Sequence, residues 1–423
     1  MNKVRVLLSF VLIALCGLFM FGGMDCSVAF MEEEEYSILE REIAPSPNAE
    51  PEKEEAPSKE EKETAAENVP VSEEETETAP KETPAFEEEA SAEDENQSLD
   101  LSDVMPEDLN QKIEEIKKLE NVSEIRLMDE EGKSKLSPRD VKKLMDAMPG
   151  AYVDYSFKLF GKTLSTKDTR IEYKKASIGN NGVRQIREAL DILPDCEYFL
   201  LDDCGIDNDI LGKLREDYPD KKIVWRVHLS RYNCLTDTEM IHCTVGLKDS
   251  DLDGLYYCND VMYLDLGHNM QMSDLNFIYG MPKLKVAIIV DCATTTLEPF
   301  ASCPDLEWIE IVSCYNVKDL SPLAKCTKLK GLNMSCAFGV RDLSPLYGLE
   351  NMERLFLGSS SITDKQYNEA CKMMPNCWIR NWAKEVNGVS GNYAVGWRLE
   401  KDGTRADWYV EIRKIFKYDD LYK

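Results

Sequence analysis

The stretch LEWIEIVSC, residues 306–314, decides the fold, because four other segments of the chain repeat its pattern. Apolar residues occupy its first, fourth and sixth positions, and the ninth position is small or polar. The other copies follow the same register at intervals of 22 or 23 residues; they are VMYLDLGHN (261–269), LKVAIIVDC (284–292), LKGLNMSCA (329–337) and MERLFLGSS (352–360). One such unit cannot bury its apolar side alone, so neighbouring units must stack and share a continuous core. The register therefore predicts a solenoid in which each unit adds one parallel strand.

The second half of the unit also recurs, as VKDLSPL in residues 317–323 and VRDLSPL in residues 340–346. Together with the pattern L-x-x-L-x-L-x-x-(N/C), this resembles the internalin-like leucine-rich repeats of surface proteins from Gram-positive bacteria. The resemblance covers Val261 to Thr363. It implies an α/β solenoid of horseshoe shape with parallel strands on its concave face, and an extracellular binding scaffold of no particular ligand. The sequence departs from the family in the ninth column, where only Asn269 keeps the asparagine.

The first 30 residues predict export. Lys3 and Arg5 precede an apolar run from Val6 to Phe21, which is the order of a secretory signal. Ser27-Val-Ala29 is a suitable cleavage site, but the run is also close to the length of a membrane-spanning helix. A cleaved signal and a retained N-terminal membrane anchor both remain open, whereas lipidation at a cysteine fits the flanking residues poorly. Either way we expect the protein at the cell surface or secreted.

Residues 31–110 form an acidic segment that we expect to be a disordered linker. From Glu32 to Asn110 the chain holds 29 Asp and Glu against 5 Lys and Arg, a net charge of −24 out of −29 for the whole chain. Such a composition has too few apolar residues for a core, and like charges extend the chain. We favour a spacer over an acidic tail that binds cations or basic partners. The charge argues against a nucleic-acid partner.

Residues 111–255 predict strands and helices without the tight register. Helical patterns end at Pro149, Pro194 and Pro219, and each is followed by a strand-like run. We interpret this region as irregular strand–helix units of the same solenoid, with an independent α/β domain as the alternative. The leucine-rich repeats span residues 256–380. Residues 381–423, with an Asp402-Gly403 turn and a short amphipathic helix, are expected to cap the end of the array.

The chain has 14 cysteines, and the register assigns most of them to the core. Cys258, Cys303 and Cys326 share one column with Met281 and Leu349, a mixture that indicates a buried apolar position. Cys234, Cys243 and the off-register Cys336 lack such an explanation, and Cys234–Cys243 is the one disulfide that we predict. No catalytic motif, metal-ligand spacing or cofactor-binding loop is present, so we expect a non-enzymatic protein without cofactor or metal.

The residues between the repeated leucines point away from the core, because side chains alternate along a strand. Several are large and apolar, and an exposed apolar patch of this kind typically marks an interaction site. We predict that a protein or peptide partner binds this concave face, although the tail or residues 230–255 folding over it is the alternative. The predicted ligand-binding residues are Tyr263, Asp265, Val286, Ile288, Val290, Trp308, Glu310, Val312, Asn333, Arg354 and Phe356. A structural envelope or assembly protein and a cell-wall glycan binder remain alternative functions.

Overall fold

The computed structural model describes residues 97–381 and 406–417. The predicted export segment, most of the acidic linker and the Asp402-Gly403 turn lie outside these residues. No helix in the described part of the chain has the length and apolar character needed to cross a bilayer.

The helices and strands alternate along the chain, and most strands are short. The α-helices of the described residues are α1 Leu109–Ile116, α2 Pro138–Ala147, α3 Val183–Leu190, α4 Asn208–Asp217, α5 Asp364–Met373 and α6 Asp407–Phe416. The strands are β1 Gln97–Asp100, β2 Val122–Arg126, β3 Tyr152–Asp154, β4 Ser156–Leu159, β5 Lys162–Ser165, β6 Arg170–Lys174, β7 Tyr198–Asp202, β8 Lys222–Leu229, β9 Tyr232–Leu235, β10 Met240–His242, β11 Tyr263–Asp265, β12 Val286–Ile288, β13 Trp308–Glu310, β14 Gly331–Asn333, β15 Arg354–Phe356 and β16 Trp378–Arg380.

Strands β10 to β16 form one parallel sheet in sequence order, which is the sheet of a leucine-rich repeat solenoid. Each strand pairs with the next at the repeat interval, so that Val286 lies beside Trp308 and Trp308 beside Gly331. Short 3₁₀ turns such as Ser321–Lys325 return the chain on the other side of the core. The predicted register is therefore confirmed.

The solenoid core consists of the repeated leucine positions. Leu264, Ile309 and Leu332 are fully buried, and so is the column that mixes Cys258, Met281 and Cys303. Cysteine fills this column as a small hydrophobic residue, as the sequence predicts. A single hydrophobic core runs from Leu101 to Ile379 through all the strand–helix units.

A residue with positive φ follows each of strands β10 to β15, always three positions after the strand ends. This left-handed residue turns the chain away from the sheet toward the return path. The column consists of Val245, His268, Asp291, Ser313, Cys336 and Ser359. Cys336, which the sequence leaves without a register, belongs to this column.

Residues 97–236 form two similar modules, each of three parallel strands closed by a hairpin. In the first module Tyr155 N donates to Thr166 Oγ1 at 3.2 Å, and Thr166 N donates back to Tyr155 O at 3.0 Å. Trp225 and Thr236, each 70 residues further on, repeat this exchange at 3.2 and 2.9 Å. The region therefore contains a structural duplication that the sequence pattern did not reveal.

The described fold includes residues that the sequence analysis assigned to the acidic segment. Residues 97–110 contain β1 and the start of α1, and β1 pairs in parallel with β2. Leu101 and Leu109 are buried in the core. The folded part therefore begins by residue 97 rather than residue 111. The acidic composition of this stretch gave no indication that these two leucines are buried.

Candidate functional site

The candidate site is the face of strands β11 to β15 that points away from the solenoid core, here called the strand face. The pairing of β11 to β15 aligns its side chains in rows, with Tyr263 beside Val286 and Asn333 beside Phe356. The eleven predicted binding residues all lie on these strands or two positions beyond them. The sequence therefore places the candidate residues on one surface, as its alternation requires.

Helix α6 covers the apolar part of the strand face. Trp408 stacks on Trp308 with the ring centroids 4.2 Å apart and the planes 9° from parallel. Ile412 and Phe416 join the same hydrophobic cluster as the strand residues, which are Val286, Ile288, Trp308 and Phe356, with Tyr263 and Val290 at its border. The expectation of an open patch is thus wrong: Trp308 is only 6% exposed and Phe356 is fully buried. The alternative, that the tail folds over this face, describes the structure.

The spacing of apolar residues in α6 matches the spacing of the strands beneath it. Trp408, Ile412 and Phe416 are four residues apart, so they lie on one side of the helix. Phe416 reaches His242 on β10 and Tyr263 on β11, with ring centroids 5.8 and 6.5 Å apart. Eight helical residues rise about 12 Å, and the three strand spacings from β13 to β10 measure about 14 Å. The helix therefore runs across the strands, with Trp408 over β13 and Phe416 over β10 and β11.

Polar and charged side chains occupy the rest of the strand face, and they too are buried. Asp265 accepts a hydrogen bond from the Gly267 N–H at 3.0 Å, and His242 Nε2 lies 3.5 Å from its other oxygen. The guanidinium of Arg354 lies over the Trp378 ring, 5.3 Å from its centroid. Burying such groups costs free energy unless they are paired, so they restrict which partners fit the face.

Asn333 carries a buried donor that has no partner among the described residues. Its Oδ1 accepts hydrogen bonds from the Ser335 N–H at 3.2 Å and the Ser335 hydroxyl at 2.8 Å. These two donors fix the orientation of the amide, and no acceptor in residues 97–381 or 406–417 reaches its Nδ2. Glu310 on the neighbouring strand is also buried.

Burial raises the pKa of the Tyr263 phenol above its ordinary value, and the nearby carboxylate of Glu411 on α6 raises the pKa further. Both effects favour the neutral phenol. The aromatic part of the strand face therefore stays uncharged across the physiological range.

The ninth column beneath the strands shows how cysteine replaces asparagine. Asn269 Nδ2 donates to the carbonyl of Cys243, in the preceding unit, at 2.8 Å. The thiol of Cys292 donates to the equivalent carbonyl of Leu266 at 3.6 Å, and the thiol of Cys314 donates to that of Ile289 at 3.0 Å. Each thiol thus keeps one of the hydrogen bonds that the asparagine makes. No group of three or more metal-binding side chains gathers anywhere in the residues that the structure describes.

The predicted Cys234–Cys243 disulfide is not formed, since both residues are free thiols. Cys234 lies on β9, at the end of a hairpin, and its thiol interacts with that of Cys258 instead. Burial raises the pKa of Cys243 to about 12. The sequence spacing suggested the wrong neighbour because the hairpin turns β9 back toward the core of the next unit.

A comparison with solved structures finds similar leucine-rich repeat proteins at low sequence identity. An internalin from Listeria monocytogenes is 17% identical, with 66% of this chain and 76% of that chain covered and a TM-score of 0.30. The chain is similar to internalin-like leucine-rich repeat proteins. Internalin C2 of the same organism is 19% identical over 53% of this chain and 87% of that one, and a leucine-rich repeat protein of Leptospira interrogans is 15% identical over 63% and 74%, both with a TM-score of 0.30. No protein-family model and no curated protein matches the chain.

The position of α6 matches the alternative that the sequence analysis left open, rather than the end cap that it favoured for the tail. Helix α6 lies on the strand face over β10 to β13. The signal is present in the sequence, since Trp408, Ile412 and Phe416 form an apolar stripe at helical spacing. That stripe predicts a docked helix, but it does not say which surface the helix binds.

Proposed function

We propose that the protein is an exported, surface-tethered bacterial leucine-rich repeat protein without enzymatic activity. In this proposal residues 1–30 deliver the chain or anchor it in the membrane, and the acidic linker holds the folded part away from that membrane. The strands line the concave side of a horseshoe, and the strand face binds a protein or peptide partner.

The observation that carries this proposal is the docking of α6 itself. The strand face accepts an amphipathic helix through Trp308 and the apolar side chains around it. An apolar centre with aromatic residues, bordered by Arg354 and carboxylates, has the composition of protein interfaces. Helix-in-groove binding is a recurrent mode of peptide recognition.

A structural role in the cell envelope is the second candidate, and the same helix supports it. If α6 covers the strand face permanently, the face contributes stability and the partner surface lies elsewhere. The glycan-binding alternative has less support, because the occupant of the strand face is an amphipathic helix packed through apolar side chains, which is a mode of peptide binding.

A capture experiment from the cell envelope of the source bacterium tests the proposal. The baits are the chain from residue 31 onward, a Trp308→Ala/Phe356→Ala variant, and a Tyr279→Ala control whose exposed ring lies on the side of the 3₁₀ turns. Circular dichroism first establishes that all three fold. A partner that the parent and the control capture, and the face variant loses, supports binding at the strand face. Equal capture by all three places the site elsewhere, and no capture by any favours the structural role.

A further inference from the structure

The strand face and the solenoid core are separate hydrophobic clusters. The core runs from Leu101 to Ile379 and contains the repeated leucines. The second cluster joins α6 to the outward side chains of the sheet and shares no residue with the core. Removing α6 would therefore uncover Trp308 and its apolar neighbours without taking any residue from the solenoid core.

Helix α6 is poorly equipped to be stable by itself. It has ten residues, whereas isolated helices shorter than about 12 to 15 residues are marginal in water. Ala406 provides no side-chain hydrogen bond at its N-terminus, and Lys417 ends it in a left-handed conformation that favours glycine or asparagine. The helix therefore depends on its contact with the strand face.

Helix α6 contacts the strand face as a helical peptide ligand contacts a groove. Three large residues at four-residue intervals insert into the strand face, and the first makes a parallel ring stack with Trp308. Asp265 and Glu310 are buried on the same face.

From these observations we infer that α6 is an intramolecular plug, which a partner protein displaces with an amphipathic helix carrying large apolar residues at positions i, i+4 and i+8. This inference rests on the proposed function, because it names the kind of partner and the state in which the site is kept. The protein is then closed by default, and partner binding exchanges one helix for another on an unchanged solenoid.

Peptide binding tests the exchange directly. The probe is a labelled synthetic peptide with the sequence of residues 404–418, titrated into the chain from residue 31 onward. An Ile412→Glu change in the chain disables its own α6, and Lys414→Gln on the exposed side of the helix is the matched control. When only a fraction of the molecules is open, the apparent affinity for the peptide is the intrinsic affinity multiplied by that fraction. We therefore expect the Ile412→Glu chain to bind the peptide at least about tenfold more tightly than the parent and the control do. A peptide carrying the same Ile→Glu change is expected not to bind.

Hydrogen exchange on the parent chain gives an independent measurement that needs no variant. We expect the α6 amides to exchange through local opening, faster than the amides of β13. The inference is overturned if α6 exchanges only when β13 does, if the peptide binds neither chain, or if it binds both equally. It is also overturned if light scattering shows a dimer that the Ile412→Glu change dissociates, because α6 would then occupy the face of a second copy.

These outcomes separate the plug from the proposed function. Local opening of α6 with peptide exchange, but no envelope partner captured by the Ile412→Glu chain, would support the plug and count against recognition of a partner. A partner captured at the strand face while α6 never opens locally would support recognition and overturn the plug.

Discussion

Val245 holds a left-handed backbone conformation that a β-branched residue strongly disfavours, with φ at 67°. Its side chain is 53% exposed and contributes little packing. The left-handed conformation costs an ordinary residue about 1 to 2 kcal/mol, and asparagine tolerates it better. We expect Val245→Asn to increase the free energy of unfolding by about 1 kcal/mol, measured by urea denaturation.

The reverse change serves as the control for this prediction. Ser359 occupies the same column after β15, with φ at 52°. We expect Ser359→Val to lower the free energy of unfolding by a similar amount. If Val245→Asn and Ser359→Val both have the stability of the parent chain, the column does not carry backbone strain.

In the ninth column, the asparagine makes more hydrogen bonds than the cysteines that replace it in other units. Asn269 makes three hydrogen bonds, accepting from the Leu247 N–H and donating to the carbonyls of Cys243 and Leu266. Cys314 makes one such bond, to the carbonyl of Ile289. Each buried group left without a partner costs about 1 to 3 kcal/mol. We therefore expect Asn269→Ala to cost roughly 3 kcal/mol or more and Cys314→Ala to cost about 1 kcal/mol, and equal losses in denaturant titrations would contradict this.

At the scale of elements, the hairpins that close the two modules depend on one threonine each. The Thr166 hydroxyl accepts from the Tyr155 N–H and donates to the Val153 carbonyl at 2.8 Å. Thr236 accepts from the Trp225 N–H in the equivalent position. Valine keeps the shape but leaves the buried N–H unsatisfied. We expect Thr166→Val and Thr236→Val each to lower the free energy of unfolding by about 1 to 3 kcal/mol.

A third threonine provides the control for the hairpin prediction. Thr163 lies on β5 with its side chain exposed, so Thr163→Val is expected to change stability by less than about 0.5 kcal/mol. Comparable losses at all three positions would mean that the β-propensity of the hairpin matters more than the hydrogen bond.

The β4–β5 hairpin also shows what the sequence pattern does not predict. The strand-like run that follows Pro149 is not a single strand, because the chain leaves the parallel sheet after Asp154 and starts the β4–β5 hairpin. Phe160 and Gly161, both with positive φ, form its two-residue turn. Alternating side chains reveal a strand but not its pairing partner, so this switch from parallel to antiparallel pairing is not visible in the pattern.

At the scale of the whole molecule, the sequence predicts what repeats and not what occurs once. The 22- or 23-residue interval determines the sheet order, the rows of the strand face and the buried cysteine columns, because stacked units must share one core. The docking of α6 occurs once and depends on a surface assembled from four strands. No local pattern in the tail encodes that surface, so the sequence left open whether the tail covers the strand face or caps the end of the array.

The buried thiols give the molecule a common response to alkaline pH. Burial raises the pKa of Cys303 to about 11 and those of Cys314 and Cys326 to about 12, from an ordinary value of 9.0. A folded-state pKa above the unfolded value means that the folded chain holds the proton more tightly. The resulting stability is fully present below pH 9.0 and is lost as pH rises through the folded pKa values.

We therefore expect the free energy of unfolding to fall between pH 8 and pH 10 under reducing conditions, by about 1 kcal/mol at pH 10 for each such thiol. Chemical denaturation at a series of pH values measures this slope. A Cys303→Ala/Cys326→Ala variant should start less stable at pH 8, because it creates cavities, yet lose less stability over the same range. Cys371→Ala is the control, because this thiol is exposed and its removal should leave the slope of the parent unchanged. Identical slopes for the double variant and the parent would assign the alkaline loss to other groups, with the tyrosines first, since burial also raises the pKa of Tyr155 and that of Tyr173 to about 12.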